Sequence, residues 1–302
     1  MRNPAFIIGC PRSGTTISQE ILSSHPETCW FSTYTNLLPQ LPQLSYLSKL
    51  YRLPLFRKFY GSSILLPMPC EAWRLWQYYC PVFLLPRPLR QRPVPLTKVH
   101  ARRYKESIRR VVAKRVSYHG GKKFITKYTN KPRIIFLNEI FPNAQFIHVL
   151  RDPRAVVNSL LYKVAREGWF REPEPCMWKQ LWPGEWLMRL DEYERLLEDD
   201  SELGDGRDVS IAFLSFYYRW ILESIRRQSR ILPEERYMEF SYEEFTIDLG
   251  GFKVVTDFLG LDFSPAEEYL ESVDLSSRNY KYKKNFDALE IEIIDEVTGG
   301  IG

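Results

Sequence analysis

Residues 5–16 read AFIIGCPRSGTT, and the segment TTISQEILSS continues the chain from Thr15 to Ser24. The four apolar residues Ala5–Ile8 predict a short buried strand, and the glycines and proline after them predict a turn. Beyond the turn, apolar residues recur at helical spacing. A strand, a tight loop and a helix in this order direct several backbone N–H groups and the positive end of the helix dipole at one point. The stretch therefore predicts an anion-binding site.

Gly9 and Gly14 have the G-x-x-x-x-G spacing of a nucleotide-binding P-loop, but Thr15 stands where that motif has Lys. Because that Lys bridges the terminal phosphates, its absence argues against a site for Mg-bound nucleoside triphosphate. Arg12 supplies a cation inside the loop instead. Two alternatives stay open at this point: a P-loop kinase or NTPase, and a non-catalytic nucleotide-binding protein of the same fold.

The string PRSGTT resembles the 5′-phosphosulfate loop of sulfotransferases that use 3′-phosphoadenosine-5′-phosphosulfate (PAPS). The resemblance implies a sulfotransferase with PAPS as co-substrate, 3′-phosphoadenosine-5′-phosphate (PAP) as product, and no metal. It also assigns the loop to cofactor binding through Pro11, Arg12, Ser13, Gly14, Thr15 and Thr16.

A second signal lies in residues 144–159, which read AQFIHVLRDPRAVVNS. An apolar strand ends at Arg151, a turn follows, and a helix carries Ser159. The pattern resembles the Arg and Ser pair with which the family holds the 3′-phosphate. Arg suits this role because its planar fork is always charged and binds phosphate through two hydrogen bonds. Taken alone, Arg151 could instead form a structural ion pair with Asp152.

Residues 123–130, KFITKYTN, predict a strand with a polar tip. The strand resembles the one that carries Lys-x-His in cytosolic sulfotransferases, with Lys127 in the place of Lys. Thr129 stands where the His would be, and a threonine cannot act as a general base near neutral pH. We expect Arg12 and Lys127 to stabilise the negative charge that develops on the leaving phosphate.

The general base must therefore come from elsewhere in the chain. Many relatives use a Glu shortly after the first helix, but residues 31–36 contain no carboxylate. The leading candidate is Glu71, beside two tryptophans in the string CEAWRLW at residues 70–76. We expect Glu71 to be the base, with His25 and His100 as alternatives.

The C-terminal third contributes weaker matches. Tyr242 stands where the family has a tyrosine that contacts adenine, although a plain buried tyrosine explains it as well. The segment SRNYKYKK at residues 277–284 mixes basic and aromatic residues, which can indicate nucleic-acid binding. The resemblance favours a 3′-phosphate role for Arg278 and Lys281, without a nucleic-acid partner.

The chain has 302 residues, 26% of them charged, with a net charge of +5. This composition predicts one globular domain over residues 1–302 that suits an anionic ligand. We expect an α/β, P-loop-type three-layer fold, with a central parallel sheet flanked by helices. Its strands are predicted near residues 5–8, 123–128, 144–150 and 237–241. Five scattered cysteines predict reduced thiols, and the lack of a signal-peptide pattern or long apolar run predicts a cytoplasmic protein.

Residues 37–120 are predicted to form an inserted subdomain, a proline- and aromatic-rich lid or acceptor pocket that ends in a basic amphipathic helix. Apolar residues flanked by Arg could instead let residues 37–95 rest on a membrane surface. The acceptor is expected to be a small molecule, a lipid or a glycan. Composition does not choose between them.

Overall fold

The computed structural model describes residues 2–53, 66–81, 98–129, 132–164, 206–273, 275 and 279–299. Among these residues, no helix combines the length and the apolar character that crossing a membrane requires.

In the described residues, five parallel strands form one sheet at the centre of the protein. In chain order the strands are β1 (Arg2–Gly9), β2 (Thr28–Cys29), β3 (Lys123–Thr129), β4 (Gln145–Leu150) and β5 (Tyr237–Ser241). Their order across the sheet is β2-β3-β1-β4-β5. The predicted parallel sheet is confirmed, and β2, which has only two residues, is the one described strand that the sequence pattern did not indicate.

The strand register brings the functional segments to one edge of the sheet. Gly9, the last residue of β1, lies opposite Thr129 at the end of β3. On the other side of β1, Ile8 lies opposite His148 of β4, and Leu150 lies opposite Ser241 of β5. Because all the strands are parallel, the loops after their carboxyl ends meet at this edge, where α/β folds bind ligands.

Helices cover both faces of the sheet. In chain order they are α1 (Thr15–Ser24), α2 (Thr33–Leu37), α3 (Trp73–Tyr79), α4 (Lys98–His119), α5 (Ile134–Ile140), α6 (Pro153–Ser159), α7 (Gly206–Ser229), α8 (Tyr242–Ile247), α9 (Lys253–Leu259), α10 (Ser264–Glu271) and α11 (Ala288–Thr298). Helices of the 3₁₀ type cover Pro42–Arg52, Glu234–Arg236, Leu249–Phe252 and Lys281–Lys284, and a π-helical turn covers Leu160–Val164.

The alternation of side chains along β1 creates two separate cores. Phe6 and Ile8 point to one face and join the core that α3 to α7 and α11 cover. Ala5 and Ile7 point to the other face and join the core under α1 and α8 to α10. Every one of these four side chains is buried, as expected for a central parallel strand covered on both faces. The predicted three-layer arrangement is confirmed.

Two described helices within residues 37–120 contribute to one of these two cores. Leu75 and Trp76 of α3 and Ile108 and Val112 of α4 pack in the same core as Phe6. The predicted basic amphipathic helix is present as α4. The segment thus forms part of the wall on one face of the sheet, while the Pro-rich residues 82–97 lie outside the described residues.

Candidate active site

The loop between β1 and α1 has an unusual backbone. Arg12 has a φ of 74° and Gly14 a φ of 100°, and Ser13 donates its N–H to the Cys10 carbonyl at 3.1 Å. A left-handed conformation is uncommon for a residue with a Cβ, and such strain concentrates at functional sites. It turns the chain sharply enough for α1 to begin at Thr15, immediately behind the loop.

Gly14 is required by the ring that lies beneath it. A Cβ atom at this position would lie 2.2 Å from Cδ2 of Tyr242, far inside van der Waals contact. Tyr242 is itself buried, as the first residue of α8 after β5. Its ring therefore supports the loop from below. The expected contact between Tyr242 and adenine stays a prediction.

The N-terminus of α1 presents polar groups to the same edge. The ten-residue helix begins at Thr15, and the exposed Thr16 accepts a hydrogen bond of 2.6 Å from Nζ of Lys127. The buried Ser13 hydroxyl has no hydrogen-bond partner among the described residues. A helix N-terminus with nearby hydroxyl and ammonium donors is suited to an anion.

Two arginines and a serine meet on the β4 side of the loop. Arg12 donates from Nε to Oγ of Ser159 at 2.9 Å, across the space between the loop and the end of α6. Arg151, after β4, donates to the Arg12 carbonyl at 2.9 Å. The structure thus brings together three residues that two distant motifs had predicted separately.

Arg151 is held by contacts on several sides. Its guanidinium lies 4.4 Å from the centre of the Tyr242 ring and donates to Oδ1 of Asn279 at 3.3 Å. Burial lowers the pKa of Arg151, and nearby Arg12 acts in the same direction. An arginine remains charged despite such a shift, so the site keeps concentrated positive charge in a partly buried place.

Asn279 was missed as a site residue by the sequence reasoning. Besides accepting from Arg151, it donates to Oγ1 of Thr246 at 2.8 Å and so ties the C-terminal segment to α8. It lies in the basic stretch from which Arg278 and Lys281 were expected to bind the nucleotide. Lys281 is on the exposed 3₁₀ helix Lys281–Lys284, and Arg278 lies outside the described residues.

Glu71 lies on the β3 side of the loop and accepts three hydrogen bonds. Its Oε1 receives the Thr129 hydroxyl at 2.6 Å and the Thr129 N–H at 3.0 Å. Its Oε2 receives the indole N–H of Trp73 at 2.6 Å. Nζ of Lys127 is 3.9 Å from Oε1, and the side chains of Lys127 and Glu71 are each 13% exposed. The structure therefore joins the expected base, the expected Lys and Thr129 in one cluster.

A cationic side chain backs this cluster. Arg133, just before α5, places its guanidinium 4.9 Å from the centre of the Trp73 ring and 5.8 Å from that of Tyr128. Burial lowers the pKa of Arg133 to about 10, while nearby Tyr128 and Glu71 oppose the shift. Trp73 thus donates its indole N–H to the Glu71 carboxylate, while the Arg133 guanidinium packs on the face of its ring.

The two alternative bases occupy other places. His25 ends α1, and its Nδ1 accepts the N–H of Glu27 at 3.1 Å, which makes it a helix-end residue. Burial lowers the pKa of His25. His100 lies in the first turn of α4. Within the described part of the chain, no group of three or more His, Cys, Asp or Glu residues has an arrangement that could hold a metal ion.

The chain resembles known sulfotransferases in sequence pattern and in fold. A family model described as "Sulfotransferase family" matches residues 4–220. The structure of sulfotransferase STF1 from Mycobacterium tuberculosis H37Rv is 14% identical, with 100% of this chain and 77% of that chain covered and a TM-score of 0.54. Sulfotransferase STF9 from Mycobacterium avium is 15% identical, with 98% and 75% covered and a TM-score of 0.52.

A comparison with curated proteins finds no match. The structural likenesses support the fold, and the family model, which spans most of the chain, includes the loop, Glu71, Lys127 and Arg151. On this basis the chain belongs to the sulfotransferase family.

Proposed function

We propose that this chain transfers the sulfuryl group of PAPS to a hydroxyl or amine of an acceptor. The observation that carries the proposal is the meeting of Arg12, Ser159 and Arg151 beside the N-terminus of α1, with Glu71 on the opposite side of the same loop. One side offers cations for the two phosphate groups of a nucleotide. The other offers a carboxylate for the acceptor.

The residues of the loop fit the 5′-phosphate end of the donor. Hydrogen-bond donors to an anion come from the backbone turn at Arg12 and Gly14 and from the first turn of α1. The hydroxyl of Ser13, which has no hydrogen-bond partner within the described part of the chain, is a further donor. Thr15 and Thr16 complete this set. Arg151 and Ser159 would hold the 3′-phosphate, because the fork of Arg151 can bond two phosphate oxygens at once.

The reaction is an in-line displacement at sulfur. The acceptor oxygen or nitrogen forms a bond to sulfur while the bond from sulfur to the 5′-phosphate oxygen breaks, and the electron pair of that bond stays with PAP. The acceptor proton passes to a carboxylate oxygen of Glu71. Arg12 and Lys127 stabilise the charge that develops on the departing phosphate oxygen.

The position of Lys127 supports this division of roles. Its ammonium donates to Thr16 at the helix N-terminus and lies 3.9 Å from Oε1 of Glu71. A group transferred between the loop and Glu71 would pass next to this ammonium. Glu71 in turn accepts hydrogen bonds from Thr129 and Trp73, which orient its carboxylate toward β3.

Calorimetric titration with PAP tests the donor assignment. We expect PAP to bind without added metal, and Arg151→Ala to weaken binding by about 30-fold or more, because removing a buried charged partner costs about 2–5 kcal/mol. The matched control is Arg219→Ala, since Arg219 pairs with Glu223 of the same helix and donates to the Val297 carbonyl. Equal binding of PAP by wild type and Arg151→Ala would contradict the proposal, as would tighter binding of Mg-bound ATP than of PAP.

A further inference from the structure

The 3₁₀ helix Pro42–Arg52 buries two serines beside Tyr51 and exposes apolar side chains beside Gln43 and Lys49. Ser45 and Ser48 are 0% exposed, and neither hydroxyl has a hydrogen-bond partner among the described residues. Tyr46 is 62% exposed, and Leu47 and Leu50 are exposed as well. A helix on the surface of a water-soluble protein normally turns its leucines inward and its serines outward. The outer side of this helix is therefore suited to a partner other than water.

Neighbouring residues extend this outer side into a larger surface, which we call the apolar face. Its exposed members are Leu37, Leu38, Leu41, Tyr46, Leu47 and Leu50. Scattered exposed apolar residues need no explanation, but a contiguous group of them indicates an interaction site.

Hydrogen bonds connect the apolar face to α3. Asn36 accepts the backbone N–H of Arg74 at 2.9 Å, and Tyr79 donates its hydroxyl to the Pro39 carbonyl at 3.0 Å. Tyr78 of α3 is also exposed. The surface is thus built on the helix that begins at Trp73, the residue that holds Glu71.

The described stretches that contain the apolar face and α3 carry more basic than acidic residues. In residues 28–53 and 66–81 the basic residues are Lys49, Arg52 and Arg74, and the one acidic residue is Glu71, which lies at the candidate active site. On the apolar face itself, the ammonium of Lys49 lies 4.5 Å from the centre of the Tyr46 ring. A long cationic side chain beside an exposed aromatic ring is typical of a membrane interface.

We propose that the apolar face docks on the surface of an anionic lipid bilayer. Leucines and tyrosines would enter the headgroup region, and the exposed Lys49 and Arg74 would bind the anionic headgroups. A second copy of this chain is a poorer occupant, because two such faces would bring like charges together.

Docking in this way also defines a class of acceptor, a consequence that rests on the proposed sulfotransferase function. Helix α3 has seven residues, so it spans only about 10 Å between the apolar face and Trp73. A bilayer on the apolar face would therefore lie next to Glu71. The acceptor that fits is an amphiphile whose hydroxyl or amine lies at the membrane surface.

Sedimentation with lipid vesicles tests the docking surface. We expect the wild-type chain to pellet with vesicles of phosphatidylcholine and phosphatidylglycerol, and at least fivefold less with phosphatidylcholine alone. The double variant Leu47→Glu/Leu50→Glu should reduce pelleting at least fivefold, and Lys49→Glu at least twofold. The matched control is Val254→Glu, which places the same charge on an exposed apolar residue of α9 and should pellet like wild type.

Calorimetric titration with PAP accompanies each variant and separates the two proposals. Variants that bind PAP like wild type but no longer pellet with vesicles would support the docking proposal. If the wild-type chain bound vesicles but not PAP, the docking proposal would stand and the proposed donor would be contradicted. Equal pelleting with and without phosphatidylglycerol would overturn the docking proposal. Undiminished pelleting of Leu47→Glu/Leu50→Glu would overturn it as well. The proposal would also be overturned if light scattering showed that the wild-type chain is a dimer and the same double variant a monomer, because a second copy of the chain would then occupy the face.

Discussion

The two sides of the phosphate loop are built in different ways. On the β4 side, the guanidinium groups of Arg12 and Arg151 donate to neutral oxygens, those of Ser159, of the Arg12 backbone and of Asn279. On the β3 side, a carboxylate is the acceptor, and Glu71 collects donors from Thr129 and Trp73.

The difference separates two tasks that one loop serves. A guanidinium that donates to neutral oxygens can exchange those bonds for stronger ones to phosphate, because both partners of the new bonds are charged. A carboxylate held by several donors keeps a fixed orientation toward an acceptor. Substitutions of Arg151 and Asn279 should therefore change nucleotide affinity, and substitutions of Glu71 and Thr129 should change the rate of transfer.

The largest expected effect comes from Glu71→Gln. Because an amide cannot take the acceptor proton, we expect kcat for transfer of radiolabelled sulfate from PAPS to fall by about 10²–10⁴-fold, the usual range for loss of a general base. The affinity for PAP, measured by calorimetry, should be unchanged. Glu244→Gln is the matched control, on an exposed position of α8. Full activity in Glu71→Gln would remove the assignment of the base and with it the contrast between the two sides.

Thr129→Val should have a smaller effect of the same kind. The substitution keeps the backbone N–H that donates to Glu71 at 3.0 Å but removes the hydroxyl that donates at 2.6 Å. Loss of one hydrogen bond to a charged group, about 1.5 kcal/mol, corresponds to roughly a tenfold lower kcat. Thr129→Ser, which retains the hydroxyl, should stay close to wild type. A weakened PAP affinity with normal kcat in Thr129→Val would place Thr129 on the nucleotide side instead.

Asn279→Ala should have the smallest effect, and the effect should be on nucleotide affinity. Its contact to Arg151 is long, 3.3 Å, so we expect a three- to fivefold weaker PAP affinity, about 1 kcal/mol or less, without a change in kcat. Asn138→Ala is a suitable control, since Asn138 accepts from Arg236 at 3.0 Å away from the loop. A fall in kcat at unchanged PAP affinity would argue against separate tasks.

The sequence predicted the β4 side better than the β3 side, for a physical reason. Arg12 and Arg151 each lie at the end of an apolar strand next to a helix start, so local patterns reveal both residues and the register of parallel strands brings them together. The contact between Glu71 and Thr129 joins residues 58 positions apart in the chain. A carboxylate beside tryptophans was enough to select Glu71, but no local pattern shows which donors it meets.

Other features could not be predicted at all. Strand β2 has two residues, too few for a periodic signal in the sequence. It is defined by its pairing with β3 at the edge of the sheet. Asn279 contacts Arg151, which is 128 positions away in the chain. The sequence pattern of its segment indicated the basic residues Arg278 and Lys281 instead. The buried serines of the 3₁₀ helix oppose the usual relation between hydropathy and burial, so only the packed structure reveals them.

The pairing of Gly9 with Thr129 sets the end of the nucleotide-binding segment beside the tip of β3. On the proposed assignment, the proton acceptor Glu71 lies in the segment just before α3, and Thr129 orients it through two hydrogen bonds. The group that removes the proton and the loop that binds the donor thus belong to separate segments. A substitution near Glu71 can therefore alter the choice of acceptor while the phosphate loop stays intact.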